Sequence, residues 1–141
     1  SQVPNFMREK KLFWIDKDKK FMRQGDWFRP ISSQSFFIKE KLEWMNQHHI
    51  DHAVMLCLSQ LYCNGWKKDD CADTIRFQND FNGSIQSEYS KKITGGFVVQ
   101  PLYLDQALKE IDRCVNELGL KFWEVNLIFL PLLIFQLEPR H

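Results

Sequence analysis

The chain has 141 residues, 44% apolar and 26% charged, with 19 Lys and Arg against 18 Asp and Glu, a formal charge of +1. That length suffices for one domain with a core of its own, and the composition is that of an ordinary soluble globular protein. So even a balance of charge provides no broad field for nucleic acid or for an anionic membrane surface, so neither partner is indicated.

Ser1 to Lys20 is polar and highly charged, which gives no sign of a secretory leader. Leu12-Phe13-Trp14-Ile15 and Phe21-Met22, on either side of the polar Asp16-Lys17-Asp18-Lys19-Lys20, predict a hairpin. Gly25-Asp26-Trp27-Phe28-Arg29-Pro30 is expected to be an irregular loop ending at a proline. A helix should follow, capped by Ser33 or Ser35, with Ile38, Leu42, Met45 and His49 on one stripe. Ala53 to Leu58 is a continuous apolar run of strand length, as in a strand covered on both faces within a parallel sheet.

Ser59 to Asp70 is expected to be a long loop. A second helix is expected over Ala72 to Ser90, interrupted at Asn82-Gly83, with the carboxylates Asp69, Asp70 and Asp73 at its solvated start. Gly95-Gly96 then leads into a buried strand, Phe97 to Gln100, stopped by Pro101. The clearest helix carries Leu104, Ala107, Leu108, Ile111, Val115 and Leu118 on an apolar face, with Asp105 as a cap and Gly119 to end it. Phe122 to Val125 reads as a third buried strand. The apolar run Leu127 to Phe135 contains Pro131 and falls far short of the ~20 residues of a membrane span.

Helices alternating with three strands imply parallel strands and an α/β fold, either a doubly wound sheet or a (β/α)-barrel. In both, ligands bind at the loops that follow the strands' C-terminal ends. The four cysteines, Cys57, Cys63, Cys71 and Cys114, are read as reduced structural thiols of a cytoplasmic protein. Their spacing lacks the short pairs of a structural zinc site, and no glycine-rich phosphate loop opens a helix.

Several stretches resemble one family in order and spacing. Ile38 to Val54 contains Leu42, Met45-Asn46 and Ile50-Asp51 ahead of the second strand. Asn79-Asp80 follows on the next helix. The segment Phe97 to Leu102, and then Ala107-Leu108-Lys109-Glu110-Ile111-Asp112-Arg113-Cys114-Val115-Asn116-Glu117-Leu118-Gly119, is the nearest match. Together, from roughly Lys10 to Asn126, they are similar to the amidohydrolase superfamily, in the branch of the aminocarboxymuconate-semialdehyde decarboxylases. The resemblance implies a (β/α)8 TIM barrel of the metal-dependent hydrolase fold. It also implies decarboxylation, hydration or hydrolysis of a small carboxylated substrate at a divalent metal, zinc by preference.

A barrel of this kind typically takes ~250 residues. The chain is therefore expected to be a single, incomplete barrel domain over residues 1–141, with a loop and hairpin insertion over 1–31 and a divergent or aberrant tail over 127–141. The family's His-x-His metal pair has no counterpart here, and Phe122 stands where the family carries a small residue. His48, His49 and His52 fall at a helix-to-strand turn, the stability end of a barrel. Accordingly, no metal ligand and no catalytic residue is assigned to this chain.

The resemblance places Arg23 at the substrate carboxylate, a task suited to its planar, permanently charged fork; without it, Arg23 reads as a solvated surface arginine. Trp27 and Trp66, in loops beside strand ends, can wall a pocket for an unsaturated substrate or simply pack over the barrel mouth. Ser59, just past the second strand, can offer a polar contact but has no base partner to make it a nucleophile. Two functions follow: part of a metal-dependent enzyme, inactive as this chain alone, or a non-catalytic truncated homologue acting as an interaction or regulatory protein. Assembly as a homo-oligomer is left open.

Overall fold

The computed structural model describes residues 3–124; the tail expected at 127–141, and Val125 of the third expected strand, lie outside the described residues. Contacts divide the chain into two compact units. The first runs to Met55 and includes Ser84–Gly95; the second takes Leu56–Gly83 and the residues from Gly96 on.

The first unit opens with a short helix α1 (Asn5–Glu9), whose Met7 is fully buried. A three-stranded antiparallel meander follows: β1 (Trp14–Ile15), β2 (Phe21–Gln24) and β3 (Trp27–Pro30), in the order β1-β2-β3. The hairpin expected around Asp16 to Lys20 is present, with Trp14 opposite Arg23 and Ile15 opposite Met22. The irregular loop expected at 25–30 is instead a second hairpin, with Gln24 opposite Trp27 and Phe21 opposite Pro30. Gly25 takes a φ of +56°, and a glycine at the first position of a two-residue connection matches the twist of antiparallel strands. Pro30, which has no N–H to donate, is tolerated because β3 is an edge strand.

The expected single helix from Ser33 is two elements. Ser33–Phe36 forms one turn, α2, and Phe37 is extended before α3 (Ile38–Gln47) begins. Neither Ser33 nor Ser35 caps the longer helix, whose N-cap position is Phe37; the Ser35 hydroxyl instead bonds that of Ser32 at 2.8 Å. Of the expected stripe only Met45 is buried, and His49 lies beyond the helix at a φ of +55°. β4 (Ala53–Met55) is shorter than the run to Leu58 suggests and pairs parallel with β5 (Ile93–Val98) through Ala53 to Ile93 and Met55 to Gly95. Val54 and Leu56 are half exposed rather than buried, because alternate side chains of a strand face opposite sides and one side is uncovered.

In the second unit a single 3-10 turn, Ser59–Leu61, leads to α4 (Lys68–Glu88). This helix begins a turn earlier than expected, with Asp69 and Asp70 in its first turn, and it continues through Asn82-Gly83. Gly83 is the point of close approach: a Cβ there would sit 3.2 Å from Cβ of Leu118. β5 likewise runs through Gly95-Gly96 instead of starting after them, and pairs parallel with β6 (Phe122–Glu124) through Gly96 to Phe122 and Val98 to Glu124. The strand order β4-β5-β6 is the expected one, and both pairings are parallel. Phe122 and Trp123 are half exposed, so β6 is not the buried strand anticipated.

α5 (Leu104–Asn116) starts one residue before Asp105, which lies in its first turn instead of capping it. It ends as expected: Gly119 has a φ of +67° and the Leu120 N–H returns to the Cys114 carbonyl. Its inner face packs Ala107 and Cys114, with Ile111 and Leu118, onto Phe97, Val99 and Leu120. A second cluster gathers Cys63, Cys71, Ile75 and Val98, flanked by Cys57, Tyr62, Trp66 and Tyr103. Among the described residues no helix is long and apolar enough to cross a membrane.

Candidate functional site

The C-terminal ends of the parallel strands, where a ligand is expected, hold a polar cluster in the second unit. The Glu124 carboxylate accepts the Cys57 amide N–H at 2.5 Å and, on its other oxygen, the Tyr62 hydroxyl. Burial, then the hydrogen bond to Glu124, pushes the Tyr62 hydroxyl well above its usual pKa. Burial and the charge of Glu124 do the same to the Cys57 thiol, which is thus protonated at neutral pH and no nucleophile. Gln100, almost fully buried, donates to the Tyr62 carbonyl at 2.8 Å and to Asn64 at 3.2 Å. Sequence reasoning missed Glu124, and its only trace was a carboxylate closing an otherwise apolar strand.

Behind this cluster, buried amides of α4 bond the backbone of β5. Asn79 accepts the Val98 N–H and donates to the Val98 carbonyl, both at 2.9 Å, and donates also to Glu110. Asn82 donates to the Gly96 carbonyl at 2.7 Å and to the Cys57 sulfur at 3.4 Å. Arg113 donates to Glu110 and to Asp80. Burial works to raise the Glu110 pKa, but the bonds from Arg113 and Asn79 outweigh it and hold the carboxyl below its usual range. The residues that carry the family resemblance, Asn79-Asp80 and Glu110 with Arg113, are thus one structural network.

Ser59 and Trp66 belong to this unit. The Ser59 hydroxyl begins the 3-10 turn, exposed, and donates to Gln60 at 3.2 Å. Trp66 lies in the expected loop, half-buried against the cysteine cluster, and its carbonyl accepts the Tyr103 hydroxyl at 2.7 Å.

Arg23 and Trp27 belong to the first unit. Arg23 sits on β2, its Nε donating to Asp16 at 2.7 Å and its guanidinium centred 5.2 Å from the Phe28 ring. The bond to Asp16 raises its pKa further. Trp27 is on β3, not in a loop, and is 41% exposed. Cross-strand partners share a face, so Arg23 with Phe28 and Trp27 with Gln24 present to opposite sides of the meander. The two are not brought together on one wall.

His48 stacks on Trp44 and bonds its carbonyl, while His52 bonds the Lys91 carbonyl and the Thr94 hydroxyl. Each unit carries a cavity among the described residues. One of about 320 Å³ in the second unit has Ala72, Ile75, Val99 and Ala107 in its wall and Arg76 and Lys109 among its charged lining. The other, about 310 Å³, lies in the first unit beside Asp16, Arg8 and Lys19.

No family model matches the chain, and no curated protein matches it. Solved structures do. The fold is similar to 2,6-dihydroxybenzoate decarboxylase from Rhizobium, at 21% identity over 61% of this chain and 27% of that one, with a TM-score of 0.56. The same decarboxylase complexed with 2,6-dihydroxybenzoate gives 21% identity, 61% and 26% coverage and a TM-score of 0.56. 5-Carboxyvanillate decarboxylase LigW from Sphingomonas paucimobilis gives 18% identity over 57% of this chain and 24% of that one, with a TM-score of 0.54. At such identities the likeness is one of fold, and the chain spans about a quarter of the length of these structures.

Proposed function

We propose that the chain is part of a metal-dependent enzyme of the amidohydrolase superfamily, one arc of a (β/α)8 barrel, acting on a small carboxylated substrate by decarboxylation, hydration or hydrolysis. The observation that carries this reading is the parallel order β4-β5-β6, threaded through α4 and α5, in a fold similar to two decarboxylases, of 2,6-dihydroxybenzoate and of 5-carboxyvanillate. Arg23 supports it locally. Asp16 holds only its Nε, which leaves the two terminal nitrogens as a fork for a carboxylate. Ser59 and Trp66 remain contacts assigned to the substrate in this reading, whereas Trp27, on the opposite face of the meander from Arg23, no longer shares a wall with it.

The superfamily implies a divalent metal, zinc by preference. Among the described residues no three His, Cys, Asp or Glu side chains converge as ligands. These residues do not fit a metal site, and in this reading the metal's ligands belong to residues outside 3–124.

A second reading, a non-catalytic homologue acting as an interaction or regulatory protein, draws support from Glu124. Both of its oxygens are engaged by the chain's own Cys57 and Tyr62. To separate the two, the longest transcript of the gene is sequenced and its product assayed with zinc for release of carbon dioxide from 2,6-dihydroxybenzoate and other small unsaturated carboxylic acids. Turnover supports the enzyme. A longest product that neither retains zinc on dialysis nor binds these acids would leave the non-catalytic reading.

A further inference from the structure

Two buried thiols face each other in the second unit. Cys63 and Cys71 are 2% and 0% exposed, and each sulfur reaches the other residue's backbone, Cys63 Sγ to the Cys71 carbonyl at 4.0 Å and Cys71 Sγ to the Cys63 carbonyl at 3.4 Å. Cys63 Sγ also donates to the Leu61 carbonyl at 3.4 Å and Cys71 Sγ to the Trp66 carbonyl at 3.7 Å. The neighbouring Cys63 thiol holds the Cys71 pKa below its usual value, while Cys71 raises that of Cys63. Cys71 also lies in the N-terminal part of α4, where the helix dipole favours a thiolate. Cys63 is held at a φ of +63°, a left-handed conformation that is strained for a non-glycine residue.

We propose that Cys63 and Cys71 are a reversible redox pair, which closes to an internal disulfide by exchange with a small-molecule disulfide. Cys71 is the attacking sulfur: its thiolate bonds one sulfur of the small disulfide and expels the other as a thiolate. The Cys63 thiol then gives its proton to water, and its sulfur attacks Cys71, expelling the second small thiolate. The chain loses two electrons and two protons, and one small disulfide becomes two thiols. Two thiols that each reach the other residue's backbone need only a local closure to the 2.03–2.05 Å of a disulfide. The loop between Tyr62 and Lys67 carries no helix or strand, so it can open to admit the oxidant while the rest of the unit stays folded. Closure ties this loop, which carries Trp66, to the first turns of α4, and it does so whether or not the proposed reaction holds.

The 141-residue chain is incubated with oxidised glutathione, its fold checked by circular dichroism, and its remaining thiols alkylated and counted by mass. The expected result is loss of two alkylation sites and a single cross-linked peptide joining Cys63 to Cys71, reopened by dithiothreitol. In the Cys63→Ser chain a glutathione adduct should accumulate on Cys71, whereas in Cys71→Ser the remaining Cys63 should stay unmodified. Tryptic cleavage after Lys67 and Lys68 should slow several-fold in the oxidised wild type. Retention of all four thiols, a bridge involving Cys57 or Cys114, or equal adduct formation on Cys63 and Cys71 in the single variants would overturn the proposal.

Discussion

Asn79 has no exposed surface, and its carboxamide meets both the N–H and the carbonyl of Val98. Buried polar groups left without partners cost about 1–3 kcal/mol each, so Asn79→Ala should lower the unfolding free energy by at least that range, read from urea denaturation. A loss below about 0.5 kcal/mol would show that water replaces the amide freely. Glu110 adds a pH dependence. Its carboxyl is held below the usual range in the folded chain, so its contribution is complete above pH ~4.5 and fades as pH falls through the depressed value. The melting temperature of Glu110→Gln should therefore lie below wild type at pH 7 and converge on it in acid; a constant gap would contradict the sign. For Arg23 the prediction belongs to the complete enzyme proposed above. Arg23→Lys should lower kcat/KM roughly ten- to hundredfold, about 1.5–3 kcal/mol, since a point charge cannot reproduce the fork. Stability should barely move, because the pair with Asp16 is partly exposed. Unaltered kinetics would return Arg23 to the solvated surface. The sequence marked Asn79, Asp80, Glu110 and Arg113 as a family pattern without revealing their task. Pairing between residues some thirty positions apart leaves no trace in local periodicity.

α5 was legible because a strong amphipathic stripe and a glycine that can turn left-handed are both local signals. The β2-β3 hairpin was not, because Gly25-Asp26 marks an irregular loop as readily as a tight turn between short strands. At α4 the local signal is equally ambiguous: Asn82-Gly83 looks like an interruption, yet Asn82 bonds the Gly96 carbonyl and Gly83 admits Leu118. That contact makes a test. Alanine in place of a mid-helix glycine gains about 0.5–1 kcal/mol of backbone stability, but its Cβ would press Leu118 at 3.2 Å. Gly83→Ala alone should thus leave stability within about 1 kcal/mol of wild type, whereas in a Leu118→Gly background, where the opposing Cβ is gone, the same change should stabilise. A double-mutant cycle by urea denaturation reads the coupling directly, and strict additivity of the two changes would show that the helix accommodates the methyl without cost.

Apolar surface left open is the widest-scale signal in the molecule. On α5, Leu104, Leu108 and Val115, spaced by four and seven, run beside the buried face and are 60%, 58% and 47% exposed. The helix therefore presents a broader apolar face than the described residues cover, and Val54, Phe122 and Trp123 do likewise on the strands, with Leu56 just past β4. Composition could not reveal this, since an apolar residue reads the same whether its partner is present or not. Single exposed apolar residues are ordinary, but a stripe along one helix, in a chain spanning about a quarter of the solved structures it resembles, fits a surface that further βα units of one barrel would cover. Leu108→Lys tests it in two settings. In the 141-residue chain the change replaces an exposed side chain, so stability should shift by only about 0.5 kcal/mol, and any concentration-dependent self-association seen by sedimentation should weaken. In a complete barrel the same leucine would be enclosed, and placing a lysine there should cost at least the 1.5–3 kcal/mol that burial of leucine contributes. Equal, small losses in both would mean that nothing covers α5, and the arc-of-a-barrel reading would lose its main support beyond the strand order.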